Sequence, residues 1–403
     1  MYHLKRLAVV ALSLGVGFNS GATVFTVTNT LDSGAGSLRQ AILSANANPG
    51  ADVIEFNIPP GGPQSIAVLG GLPAMAETIR IDGTTHPGYS ANPIIEVTGA
   101  APLTGGFYFT GNTNEVRGLI LNNFITALTF DNGSSGNTVA GNWIGLDSSG
   151  EAVKGNDQGI YSYFGTGTTI GGTTAGTRNV IAGNTNGGVL LYSCWSANIL
   201  GNRIGTGASG TNSLGNGWQP NGTYNQYGGI YLESGGFHKI GGTNVGAGNL
   251  ISGNTRGVML FNHSVSNVIQ GNWMGLNAAG AALPGRKQIA AIALYTGDGN
   301  LIGGTASGAG NVLSGSDGSP VTSFDGYGIF INNGNFNQIQ GNLTGTDATG
   351  SNAVPNLMAG IHFTSVARTN LIGGTAAGAR NVISGNTGNG IYLRNSFENQ
   401  IQG

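Results

Sequence analysis

The sequence predicts an all-β fold: a right-handed parallel β-helix, closed at its N-terminal end by a short helix-containing cap. Three observations predict it. Short aliphatic tetrads recur along the chain, glycine and asparagine punctuate them, and the runs between are too short and glycine-rich for helices. The hand follows from the general preference for right-handed crossovers between parallel strands.

In chain order, residues 1–22 read as a signal peptide. Lys5 and Arg6 precede the apolar run LAVVALSLGVGF, and Ser20 and Ala22 suit the positions around a cleavage site, so the mature chain starts near Thr23. That run is too short to span a bilayer comfortably, and no later segment is long and apolar enough to do so. Residues 23–105 are expected to form the cap and the first coils. Within them, SLRQAILSANA sets Leu38, Ala41, Ile42 and Ala45 on one helical stripe behind Ser37 as N-cap. An open first coil would leave its strand edges free to pair with other chains, and this helix is suited to cover them.

Residues 106–403 carry the repeats. The first aliphatic positions of GIYL-like tetrads fall at Phe107, Leu128, Ile160, Val189, Ile230, Val258, Ile292, Ile329, Ile361 and Ile391. A two-coil period overlies them, with GNWIG at Gly141, GNRIG at Gly201, GNWMG at Gly271 and GNLTG at Gly341. Strands this short bury no face alone, so equivalent strands of successive coils stack in parallel. Asn179, Asn249, Asn311 and Asn381 recur at turns, as do Asn142, Asn202, Asn272 and Asn342. Asparagine tolerates left-handed backbone angles and its stacked amides bond between coils, so these residues read as architecture. The chain stops inside NQIQG, where earlier copies run on, which predicts an uncapped last coil and an incomplete repeat array.

The segment TVTNTLDSGAGSLRQAILSANANPGADVIEFNIP resembles the N-terminal module named for its Cys-Ser-Leu-Arg-Glu-Ala (CSLREA) signature. Gly36 stands in place of the cysteine and Gln40 in place of the glutamate. TGTDATGSNAVPN and IGGTAAGARNVISGN are similar to the PbH1-type parallel β-helix repeats that follow this module in exported bacterial proteins. The resemblance covers nearly the whole mature chain. It implies a right-handed coil and a secreted or cell-surface location, and it carries over no functional residue.

Composition narrows function by exclusion. With 15 Lys and Arg against 17 Asp and Glu, and no basic run, the chain has neither a nucleic-acid footprint nor a polybasic membrane patch. A single cysteine, Cys194, permits no internal disulfide and reads as a small, semi-buried hydrophobe. The five histidines lack metal-ligand spacing and the calcium-binding nonapeptide is missing, so no metal or cofactor is expected. Glycoside hydrolysis needs two carboxylates roughly 5–9.5 Å apart. If the tetrad aliphatics face inward, the outward slots hold only Asp131 and Glu233, three coils apart. An alternative catalytic cluster is His362, Tyr392 and Arg394, neighbours on adjacent coils, able in principle to neutralise a uronate and abstract a proton. The same residues also read simply as a solvated strand face.

Aromatic side chains fill those outward slots more coherently. Tyr108, Tyr161, Tyr163, Tyr192, Tyr231, Phe261, Tyr295, Phe330 and Tyr392 line one face, and Trp143 and Trp273 form an outward pair on another. Aromatic faces stack on sugar rings, and exposed apolar rows mark binding sites. Cross-strand aromatic ladders also stabilise a sheet without any ligand, by roughly 0.2–1 kcal/mol per pair. Both explanations stay open at this point. The function read from the sequence is an exported, non-enzymatic, adhesin-like scaffold that binds polysaccharide through this face. The alternative is a polysaccharide lyase or glycoside hydrolase using the same face, and a third is a ligand-free spacer of a larger surface protein.

Overall fold

The computed structural model describes residues 22–100, 104–285, 288–318 and 325–403, so the expected signal peptide lies outside the described residues but for Ala22. Three parallel sheets wind into a right-handed solenoid. The first sheet has 13 strands, from Val24–Val27 to Gln400–Gln402, the second 11, from Gln64–Val68 to Val382–Ile383, and the third 10, from Phe107–Phe109 to Asn389–Leu393. Each strand pairs with its equivalent one coil on. Val189, for example, lies between Ile160 and Ile230, so the tetrad register read from the sequence is the register of the third sheet. Its aliphatic residues are buried with Val139, Ile170 and Ile199 of the first sheet and Ile144, Ile181 and Ile204 of the second, in one continuous core.

Turns between sheets leave backbone N–H groups that strand pairing cannot satisfy, and buried donors require acceptors. Asparagine supplies them. Asn142, Asn179, Asn202, Asn249, Asn272, Asn311, Asn342 and Asn381 form one ladder between the first and second sheets. From Asn179 on, each Oδ1 accepts from the backbone and side-chain amides of the asparagine one coil earlier, at 2.9–3.2 Å, and Asn142 Oδ1 accepts from Leu119 N at 3.0 Å. The two asparagine sets of the two-coil period are therefore alternate rungs of a single ladder. A second corner uses Asn156, Asn184, Asn216 and Asn254. A third uses Asn267, Asn300, Asn337, Asn370 and Asn399. His238 takes the rung before Asn267: its backbone N–H donates to Asn267 Oδ1 at 3.0 Å, and its Nδ1 accepts from Ala197 N–H at 3.1 Å. The closing glycine of GNxxG follows from close approach. At Gly145 and Gly205, both with φ near +90°, a carbonyl of the next coil occupies the space a Cβ would need.

Helix α1 (Leu38–Asn46) caps the N-terminal end as its pattern predicts. Ser37 Oγ accepts from Gln40 N at 3.2 Å, and Leu38, Ala41, Ile42 and Ala45 are buried in the core. At the other end, Leu393 and Ile401 of the last coil are exposed.

The two-coil period builds relief on the outside of the second sheet. On alternate coils a hairpin leaves the sheet's C-terminal side, closed by the pairs Leu146–Val153, Thr206–Ser213, Leu276–Ala282 and Thr346–Ala353. The tips bond to one another: Ala208 N to Gly150 O at 2.8 Å, Ala278 N to Gly210 O and Ala348 N to Gly280 O at 2.9 Å. On the intervening coils the IGGT loops protrude from the opposite side, with Gly246 packed on Thr173, Gly308 on Thr243 and Gly378 on Thr305. Two continuous walls result, with the strand face between them.

Candidate functional site: an aromatic face and ledge on the third sheet

Both outward rows occupy the expected register. Tyr161 neighbours Leu190, Leu190 neighbours Tyr231, and His362 neighbours Tyr392. The middle of the face, however, is roofed. Tyr231 is only 1 % exposed and forms a small apolar core with Leu190 and Met259. The roof is the long connection before Ile230, in which Trp218 pairs with Tyr224. Tyr227 at its end meets Tyr231 edge-on at 4.8 Å. Tyr161, Tyr192, Phe261 and Tyr295 are half-buried around this core. Further along, Tyr327 packs on Phe330 at 5.3 Å and on His362 at 4.9 Å. The open row expected from the sequence is thus corrected: Tyr163 and Tyr392 are exposed, Tyr108 and Phe330 are half-buried, and Tyr231 lies beneath a loop. The tryptophan pair divides too. Trp143 is buried beneath the hairpin tips at Gly150, whereas Trp273 is exposed.

The polar groups of this face are mutually engaged. Tyr108 Oη donates to Asp131 at 2.6 Å and Tyr231 Oη donates to Glu233 at 2.7 Å. The bond to Asp131 raises the Tyr108 pKa, whereas burial, with Glu233 second, raises that of Tyr231. At about 4.8 Å per coil the two carboxylates stand about 14 Å apart, beyond a hydrolytic pair. His362 does stack on Tyr392, at 4.8 Å. Yet it is 7 % exposed, and neither ring nitrogen has a hydrogen-bond partner among the described residues. Burial, with the nearby Arg394 charge second, depresses its pKa and holds the imidazole neutral. The cluster is assembled, but its nitrogens face aromatic rings rather than solvent.

Sequence reasoning missed the most exposed aromatics, which sit in the turn leaving the third sheet. Phe164, Phe237 and Phe336 are 55 %, 57 % and 62 % exposed, and all three adopt left-handed backbone angles, φ +56° to +58°. That conformation costs a bulky residue of order 1–3 kcal/mol, and such strain concentrates at functional sites. Exposed Trp195 lies 5.8 Å from Phe237, and Phe164 lies 4.2 Å from Tyr163. These two aromatic pairs, which we call the ledge, lie on three successive coils at the same turn, over about 10 Å along the axis. The available signal was an aromatic a few residues beyond the tetrad start, as in SYFG, SCWS and GGFH.

The solenoid is similar to solved structures at low identity. The Dettilon tailspike protein is 14 % identical with a TM-score of 0.51, over 92 % of this chain and 68 % of that one. The periplasmic alginate epimerase AlgG is 10 % identical with a TM-score of 0.49, over 94 % and 85 %. DFA-IIIase from Arthrobacter chlorophenolicus A6 is 12 % identical with a TM-score of 0.48, over 91 % and 98 %. At such identity the tailspike likeness speaks for the fold alone. No curated protein sequence matches. Residues 71–318 match the family described as Periplasmic copper-binding protein (NosD), more than half of the chain, and the protein belongs to the NosD family.

Proposed function

We propose that this protein is an exported, non-enzymatic β-helix scaffold that binds polysaccharide by stacking sugar rings on the aromatic edge of its third sheet. One observation carries the reading: strained, solvent-facing aromatics recur at one turn, next to Tyr163 and Trp195. Among the residues read from the sequence, Tyr163 and Tyr392 serve as contacts. Tyr108, Tyr161, Tyr192, Tyr231, Phe261, Tyr295 and Phe330 serve as the rigid backing. A rigid, preordered aromatic surface loses little entropy on binding. In this reading the N-terminal segment is a CSLREA-type cap, and the scaffold works adhesively in the periplasm or at the cell surface.

The family's description names copper, and the residues present do not fit a copper site. Among the described residues, no three or more His, Cys, Asp or Glu side chains stand close enough to share a metal. Cys194 and His238 are both buried, and the His238 ring is occupied by Ala197 N–H and the Cys194 backbone. Glycan stacking on the ledge requires no metal, so the two roles do not depend on each other.

A glycan array run with reducing-end and unsaturated-uronate assays tests the proposal. Binding without turnover is expected, with loss of binding in the W195A/F237A variant. Turnover that disappears on His362→Ala or Arg394→Ala would replace the scaffold with a lyase or hydrolase. Neither binding nor turnover would leave a ligand-free spacer.

A further inference from the structure

The walled outer face of the second sheet is a trough with its own chemistry. Its floor runs Trp143, Val180, Arg203, Leu250, Trp273, one residue per coil. Two concavities of about 530 and 450 Å³ lie along it, and Arg178 and Arg203 line both. The first also takes in Tyr89 and Arg117, the second Trp273.

Two of the cations in this trough lack an ion-pair partner. Arg117, in the first concavity, meets Asp82 and Glu115, while Arg80 and Lys154 meet Asp82 and Glu96. Neither Arg178 nor Arg203 forms an ion pair within 4.0 Å among the described residues. Arg178 Nε donates to Gly201 O at 3.1 Å, which fixes its guanidinium against the floor. The field of Glu151 reaches Arg203, but the Glu151 oxygens accept from Ser209 N at 2.6 Å and Ser209 Oγ at 3.1 Å. Burial, and the Arg178 charge second, lower the Arg203 pKa. Two half-buried like charges held close together form an arrangement that a bound anion relieves.

We infer that this trough binds a linear anionic polysaccharide, with carboxylate or sulfate groups gripped by Arg178 and Arg203 and a sugar face resting on Trp273. The guanidinium fork matches such planar or multi-oxygen anions bidentately, and the exposed indole supplies the apolar face. A nucleic acid fits less well. Two free arginines in a chain of net charge −2 give few phosphate contacts, where nucleic-acid affinity rests on many. This surface is separate from the aromatic ledge and does not depend on it.

Titration calorimetry of the full chain against alginate, dextran sulfate, neutral dextran and single-stranded DNA tests the inference. Binding to alginate or dextran sulfate, weakening with salt and absent for dextran, is expected; whichever of the two binds tighter identifies the anion as carboxylate or sulfate. R178Q/R203Q is expected to lose about tenfold or more in affinity and most of the salt dependence. A circular-dichroism melt checks the double variant, and the single R203Q variant replaces it if it unfolds early. The inference falls if the wild type binds no anionic glycan, if a natively folded R178Q/R203Q binds as tightly as wild type, or if DNA binds tighter than both polymers.

Discussion

The outer faces of the second and third sheets come from the same repeat and stack with the same coil-to-coil pairing. They differ in what the loops do to them. On the third sheet the connection ending at Tyr227 folds over the strands and turns Leu190, Tyr231 and Met259 into a second small core. On the second sheet the loops stand up at the margins, bond tip to tip, and leave Arg203 and Trp273 accessible between them. A repeat therefore decides which residues point outward, and loop geometry decides which outward residues meet solvent.

The largest effect that would break this comparison is on stability. Tyr231→Ala should cost about 3 kcal/mol, as for a large side chain removed from a core, while Trp273→Ala should cost about 1 kcal/mol or less. Chemical denaturation of both variants measures this, and equal losses would mean that the third face is not a core. A change in pH should act on the buried histidines, His362 on the third face and most strongly His238 at the corner between the third and first sheets. Burial pushes the His238 pKa down to about 4, below the roughly 6.5 of an unfolded histidine. The unfolded chain then binds the proton more readily, so stability is full above pH 6.5 and falls as pH drops toward 4, by on the order of 3 kcal/mol. His238→Asn, which restores the rung used elsewhere on that corner, should flatten the thermal midpoint over that window. A profile as steep as wild type would place the titration elsewhere. The smallest effect sharpens the reading of the ledge. Phe237→Asn relieves an unfavourable backbone angle and should raise stability by up to about 1 kcal/mol while weakening glycan binding. A variant that loses stability would show that the phenylalanine is held there for packing.

Much of the architecture was legible because it is local and periodic. The tetrads fixed the strand register, the stripe Leu38, Ala41, Ile42 and Ala45 marked the capping helix, and the turn asparagines became the ladder. What escaped depends on contacts with no period. Nothing in NGWQPNGTYNQYGG states that Tyr227 will lie on Tyr231, since that requires knowing where an inserted loop folds. Left-handed angles at Phe164, Phe237 and Phe336 were equally hidden, because phenylalanine is a residue that ordinarily avoids them. The closeness of Arg178 and Arg203 likewise depends on the pairing of Val180 with Arg203, which an irregular loop spacing conceals.

The tip-to-tip bonding of the hairpins also constrains how such a chain can change length. Ala278 reaches Gly210 because one hairpin-free coil lies between their hairpins. Gain or loss of a single coil would bring two hairpin coils, or two IGGT coils, together and break both walls at that point. Gain or loss of two coils leaves the alternation intact. Viable insertions and deletions in this solenoid should therefore come in pairs of coils, each lengthening or shortening the trough by about 9.6 Å.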